Sequence, residues 1–96
     1  MIKVTHAGLA GQSDPLEFQV TVSEGDGETT HRVTMSSDDC ERLCGDIREA
    51  DRCVEAIFRF LLDREPKEAI MARFNVSMVQ RYFPEFEAKL PDYLAR

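Results

Sequence analysis

The sequence predicts an α+β fold, an N-terminal antiparallel sheet of about three strands followed by three to four helices packed on one face. Three observations carry this expectation. Leu16, Phe18, Val20 and Val22 alternate with Glu17, Gln19, Thr21 and Ser23, the period of a strand with one buried face. From Cys40 to Leu61, apolar residues recur every three or four positions, as on an amphipathic helix. The length of 96 residues suits one domain with one core, burying ~60–65% of the surface that the unfolded chain exposes. We therefore read 1–96 as a single domain, with 1–35 as sheet, 37–63 as helical and 66–90 as a helical corner.

Each element has a local reason. Ile2 and Val4 alternate with Lys3 and Thr5, which predicts a first strand over 2–6; the Gly, Ser, Asp and Pro content of the AGLAGQSDP stretch that follows predicts a loop. The second strand is the alternating run from Leu16. Ser23 to Glu28 has the composition of a tight hairpin turn, and a third strand follows at 29–35 with Val33 and Met35 inward. Glu24, Asp26 and Glu28 lack the ligand order of a calcium-binding loop and read as a solvated hairpin tip.

Ser36-Ser37-Asp38-Asp39 is a helix start, with Ser37 as N-cap and the acidic pair near the positive end of the helix dipole. Gly45-Asp46 interrupts the apolar stripe, because glycine destabilises a helix interior by ~1 kcal/mol and Asp favours an N-cap; a break is expected there, with Asp46 opening a second helix. Pro66 ends that helix and suits the first turn of the next, predicted from Lys67 to Phe74. Asn75 is placed at its left-handed end, and Ser77 with Gln80 forms a capping box opening a further helix. That helix breaks or kinks at Pro84 and closes at Pro91, with Tyr93 and Leu94 folding back on the core.

Charge is unevenly divided. The formal net charge is −6, but residues 1–63 carry thirteen acidic groups against six basic ones, whereas 64–96 carry five against six. An acidic chain repels phosphate polymers, leaving only the 64–81 stretch as a local basic surface. Cys40, Cys44 and Cys53 make no even-numbered framework, and MIKVTH lacks the charged and apolar regions of a secretion signal. A cytoplasmic protein with reduced thiols is expected, with no membrane partner, since no apolar run approaches ~18–20 residues. On one continuous helix Cys40 and Cys44 lie about 40° apart, but Cys53 lies about 180° from Cys44 and cannot join them. The cysteines then read as small buried hydrophobes, and His6 and His31 bear no spacing relation to them.

No nucleophile, base and oxyanion set and no glycine-rich phosphate loop occurs, so the expectation is a non-enzyme without cofactor or metal. Function falls to Ile57–Leu90, which holds most of the aromatic residues. The leading expectation is a small protein-interaction or adaptor module that meets an unidentified protein or a second copy. Tyr82, Phe83, Phe86 and Tyr93 are its apolar contacts, with Arg64, Arg73 and Arg81 on the rim. The alternative is a DNA-binding helix-turn-helix over 66–83, with Ser77, Gln80 and Arg81 at base edges or phosphates and Lys67 and Arg73 on the backbone. Its spacing departs from the usual V-S-x-x-x-V-x-R pattern by one residue, and Pro84, Glu85 and Glu87 shorten the usable helix.

One resemblance spans the C-terminal part. Arg73, Phe74, Asn75, Val76, Ser77, Val79, Arg81, Tyr82, Phe83, Pro84, Glu85, Phe86 and Glu87 resemble the closing motif R-F-(D/N)-(L/V)-S-x-V-x-R-Y-F-P-E-(Y/F)-E of a group of short uncharacterised bacterial proteins that share an N-terminal sheet. The resemblance implies origin and fold; it transfers no activity and no catalytic residue.

Overall fold

The computed structural model describes residues 1–6, 15–25 and 27–95. Strands β1 (Ile2–His6), β2 (Leu16–Glu24) and β3 (Gly27–Met35) form the expected antiparallel meander. The loop expected after His6 lies outside the described residues up to residue 14, as does Asp26 in the hairpin turn. Gly25, at φ 60°, supplies the left-handed conformation that lets β2 and β3 meet with Glu24 opposite Gly27.

A fourth strand, β4 (Arg73–Asn75), lies parallel to β3 at the edge, giving the order β1-β2-β3-β4. The sheet is therefore mixed. Parallel neighbours need a long crossover, which residues 36–72 supply. This crossover holds α1 (Ser37–Cys44) and α2 (Ala50–Leu62), joined by a turn of 3-10 helix at Ile47–Glu49. A second 3-10 turn, Lys67–Ala69, precedes β4, and α3 (Ser77–Tyr82) and α4 (Phe86–Leu94) complete the chain.

The break at Gly45 is present. Gly45 takes φ 84° and donates its N–H to the Glu41 carbonyl at 2.9 Å, ending α1. Asp46 Oδ1 accepts from the Arg48 N–H at 2.9 Å and opens the 3-10 turn. Ser36, one residue earlier than expected, caps α1 by accepting from Asp39 N–H at 3.0 Å. Pro84 separates α3 from α4, because the residue before a proline is pushed out of the helical region and Phe83 adopts φ −131°, ψ 86°.

Three expectations fail locally. Residues 67–74 hold a short 3-10 turn and a strand in place of a two-turn helix. The reason is tertiary: Arg32 N–H bonds the Ala72 carbonyl at 2.7 Å and Val76 N–H the Thr34 carbonyl at 2.9 Å, so the free edge of β3 captures the segment. Asn75 is extended, not left-handed, and its Oδ1 accepts from Ser77 N–H at 2.9 Å, replacing the Ser77–Gln80 box. Pro91 lies inside α4: its missing bond exposes only the Glu87 carbonyl to water, while Leu90 and Tyr93 stay buried on the core.

One sheet face carries Leu16, Phe18, Val20, Val22, Val33 and Met35, all buried against α2 and its neighbours. Phe60 of α2 sits at the centre of an aromatic cluster, with the rings of Phe83, Phe86 and Tyr93 edge-on at 5.8, 5.1 and 5.7 Å. The opposite sheet face is polar, carrying Gln19, Arg32 and Arg73 in adjacent register. No helix of the described residues is long and apolar enough to cross a membrane.

Candidate functional site

After α2, the chain turns at Pro66 (ψ 158°) and runs back beside the sheet before entering α3. Between the end of α2, this returning segment and α3 lies an apolar groove of about 300 Å³. Leu61, Ile70, Phe74 and Val79 are its buried floor. Met71, Met78, Tyr82 and Phe83 form the walls, with Ala69 and Glu65 at the mouth. Tyr82 is 64% exposed and Met71 40% exposed. Apart from Met1, they are the large apolar side chains of the described residues that the fold leaves in water.

The returning segment is held firmly. His31, 2% exposed on β3, bonds the Met71 carbonyl through Nδ1 at 2.8 Å and the Thr29 hydroxyl through Nε2 at 2.8 Å. A carbonyl only accepts, so Nδ1 carries the proton. The imidazole also packs on Phe58 at 5.3 Å. Asn75 Nδ2 adds a bond to Thr34 Oγ1 at 2.8 Å. A lone histidine on a strand gives no sequence signal for such a role, and the parallel strand it supports was not expected.

The expected interface residues divide. Phe86, 1% exposed, is core and cannot meet a partner. Tyr93 is also buried, and its hydroxyl donates to Asp63 Oδ2 at 2.6 Å. Arg64 is spent internally: its guanidinium lies 3.7 Å from the Phe60 ring centroid and donates to the Phe60 carbonyl, the Tyr93 hydroxyl and Glu85. The Tyr93 hydroxyl first, and then Glu85, raise Arg64 above its ordinary pKa. The Glu85 carboxyl is held low by its own backbone N–H and then by Arg64. Phe83 is half-buried on Phe60 and shares its other side with the groove. Tyr82 and Arg81 remain exposed on α3; Arg73 is exposed on the polar sheet face beside Arg32.

The residues of the DNA-binding alternative do not converge. Lys67 is 8% exposed, with Nζ on Glu68 at 2.9 Å and beside Gly27. Gln80 donates to the Pro84 carbonyl at 2.8 Å, Ser77 sits at the Asn75 turn, and Arg73 belongs to a strand. The first helix of the helix-turn-helix is absent from 66–76, and α3 has six residues. The geometry that such docking needs is therefore missing.

Several cations of the described residues are paired within the fold: Arg32 with Glu17, Arg42 with Asp39 and Glu87, Arg48 with Asp46, Arg59 with Glu55. Among the described residues, Glu65, which lines the groove, and Arg81, exposed next to Tyr82 in α3, enter no ion pair. No group of three His, Cys, Asp or Glu among those residues is arranged to hold a metal. A second, wider depression of about 460 Å³ near Met1 and Ile2 is lined mainly by charged groups, including the Arg59–Glu55 pair.

The cysteines contradict the expectation of three separate thiols. Cys44 and Cys53 form a disulfide with Cα atoms 5.8 Å apart. The 180° separation holds only for one continuous helix, and the break at Gly45 folds the end of α1 against the start of α2. Cys40 is the free thiol, buried, and burial followed by Glu41 and Asp46 pushes it up.

Comparison with protein-family models, curated proteins and solved structures gives no match for this chain.

Proposed function

We propose that this chain is a small non-enzymatic interaction module whose groove receives the Tyr82 ridge of a second copy. The observation that carries the reading is the 64% exposure of Tyr82 at the wall of an apolar groove. Tyrosine is enriched at interfaces because a rigid ring buries much area for little lost rotamer entropy. A two-fold interface uses the same patch on both subunits, so that patch must offer both a projection and a cavity to fill. This patch offers both. Charge is compatible with the same occupant: Glu65, lining the groove, and Arg81, exposed next to Tyr82 on α3, are unpaired opposite charges that a two-fold contact through Tyr82 would bring towards each other.

Light scattering across a concentration series tests this reading. The wild type should pass from monomer to dimer between low and several hundred micromolar, and Tyr82→Ala should weaken association by about tenfold or more. A monomer at every concentration would remove the second copy as occupant. A different protein bound stoichiometrically, and lost with Tyr82→Ala, would replace it with a heterologous partner.

A further inference from the structure

We infer that Cys44 and Cys53 are a site of reversible thiol oxidation whose state sets how firmly α1 is held. The pairing geometry comes first. Their Cα atoms lie 5.8 Å apart, at the usual separation for a disulfide. Access is asymmetric: Cys44, the last residue of α1, is half-buried beside the exposed Gly45, whereas Cys53 is fully buried in the first turn of α2.

The second observation is how few side chains α1 buries. Its one fully buried side chain is Cys40, with Leu43 and Cys44 partly packed. Its ion pair to α4, Arg42 with Glu87, joins two side chains nearly half exposed, where such pairs contribute little. By contrast α2 buries eight side chains, Cys53 among them. The disulfide therefore anchors a helix with one buried side chain to one that buries eight, and its loss should loosen α1 before the sheet.

The chemistry requires a disulfide of low molecular weight as oxidant. The Cys44 thiolate attacks one sulfur of that reagent, breaking its S–S bond, forming a mixed disulfide and releasing one thiol. The Cys53 thiolate then attacks the Cys44 sulfur and releases the second thiol. Two protein thiols thus lose two electrons and two protons, and the reagent leaves as two thiols. A reducing thiol reverses the sequence, entering at the more accessible Cys44. Cys40, buried on the same helix, takes no part.

The test equilibrates the whole chain in graded mixtures of reduced and oxidised glutathione, counts free thiols by alkylation and mass, and follows amide hydrogen exchange. Oxidised protein should label at Cys40 alone after denaturation, and reduced protein at all three cysteines. Reduction should speed exchange over 37–49 by about tenfold or more, leaving 16–35 unchanged. Cys44→Ser should label at Cys40 and Cys53 and keep the fast α1 exchange of the reduced chain at every ratio. Three free thiols in the most oxidising mixture would overturn the inference. So would exchange in α1 indifferent to reduction, or acceleration of the whole chain at once.

Discussion

The β2–β3 hairpin with α2 and the 66–83 segment solve the same problem in opposite ways. In the first, the apolar pattern matches the element: Phe18, Val20, Val22 and Val33 meet Val54, Ile57, Phe58 and Phe60, and all eight are fully buried. The second buries Ile70, Phe74, Val76 and Val79 but is also clamped through its backbone, by bonds from Arg32 and His31 to the carbonyls of Ala72 and Met71 and from Val76 to Thr34. Its side chains are left partly unused, with Met71 and Tyr82 in water. A segment whose main chain is clamped as well can leave other apolar side chains to meet something else.

The sharpest way to break this contrast is within the core. Phe60→Ala removes the ring that three aromatic edges and Arg64 share, and should cost about 3–5 kcal/mol in urea unfolding. His31→Ala tests the main-chain clamp. It leaves a buried cavity and frees the Met71 carbonyl, so a loss of about 2–3 kcal/mol is expected, with amide exchange speeding first over 71–76.

The difference between the regions also explains what was legible in the sequence. Strands β1 to β3 and the break at Gly45 were legible because alternation and glycine act locally. Strand β4 was not: three residues have no period, and Ala69-Ile70-Met71-Ala72 favours helix by composition until the edge of β3 captures it. Phe86 looked equivalent to Tyr82 because helical phase was carried through Pro84. The break rotates α4 relative to α3, so that one ring enters the core and the other leaves it. The Cys44–Cys53 contact was hidden by the assumption of one continuous helix. A break at Gly45, itself expected, already removes the angular objection to it.

Smaller effects sharpen the comparison at the loop ends. Gly45→Ala places a Cβ at φ 84° with open space around it, so backbone strain alone should destabilise by about 1 kcal/mol. Ser36→Ala removes the cap on α1 and should cost about 1 kcal/mol by the same assay. The least effect is expected from acid. Asp46, held low by Arg48, Glu68 by Lys67, and Glu85 by its own backbone N–H and Arg64, have folded pKa values below their unfolded ones. Their contribution is present above the unfolded carboxylate range and lost as pH falls through the folded values. Because Glu68 and Glu85 are exposed and Asp46 is partly so, urea midpoints should fall only slightly through that range, and added salt should shrink the change.

Self-association through the groove is the central claim, and sedimentation equilibrium on a charge-swap cycle tests it most directly. Glu65→Arg and Arg81→Glu should each weaken the dimer by about tenfold or more, since each places like charges across the two-fold interface. The double variant, with the pair restored in reverse, should recover association. Surface changes of this kind should leave the urea midpoint of the monomer close to that of the wild type. Recovery in the double variant is the result this account predicts; two single losses that simply add in the double variant, or a wild type that remains monomeric throughout, would contradict it.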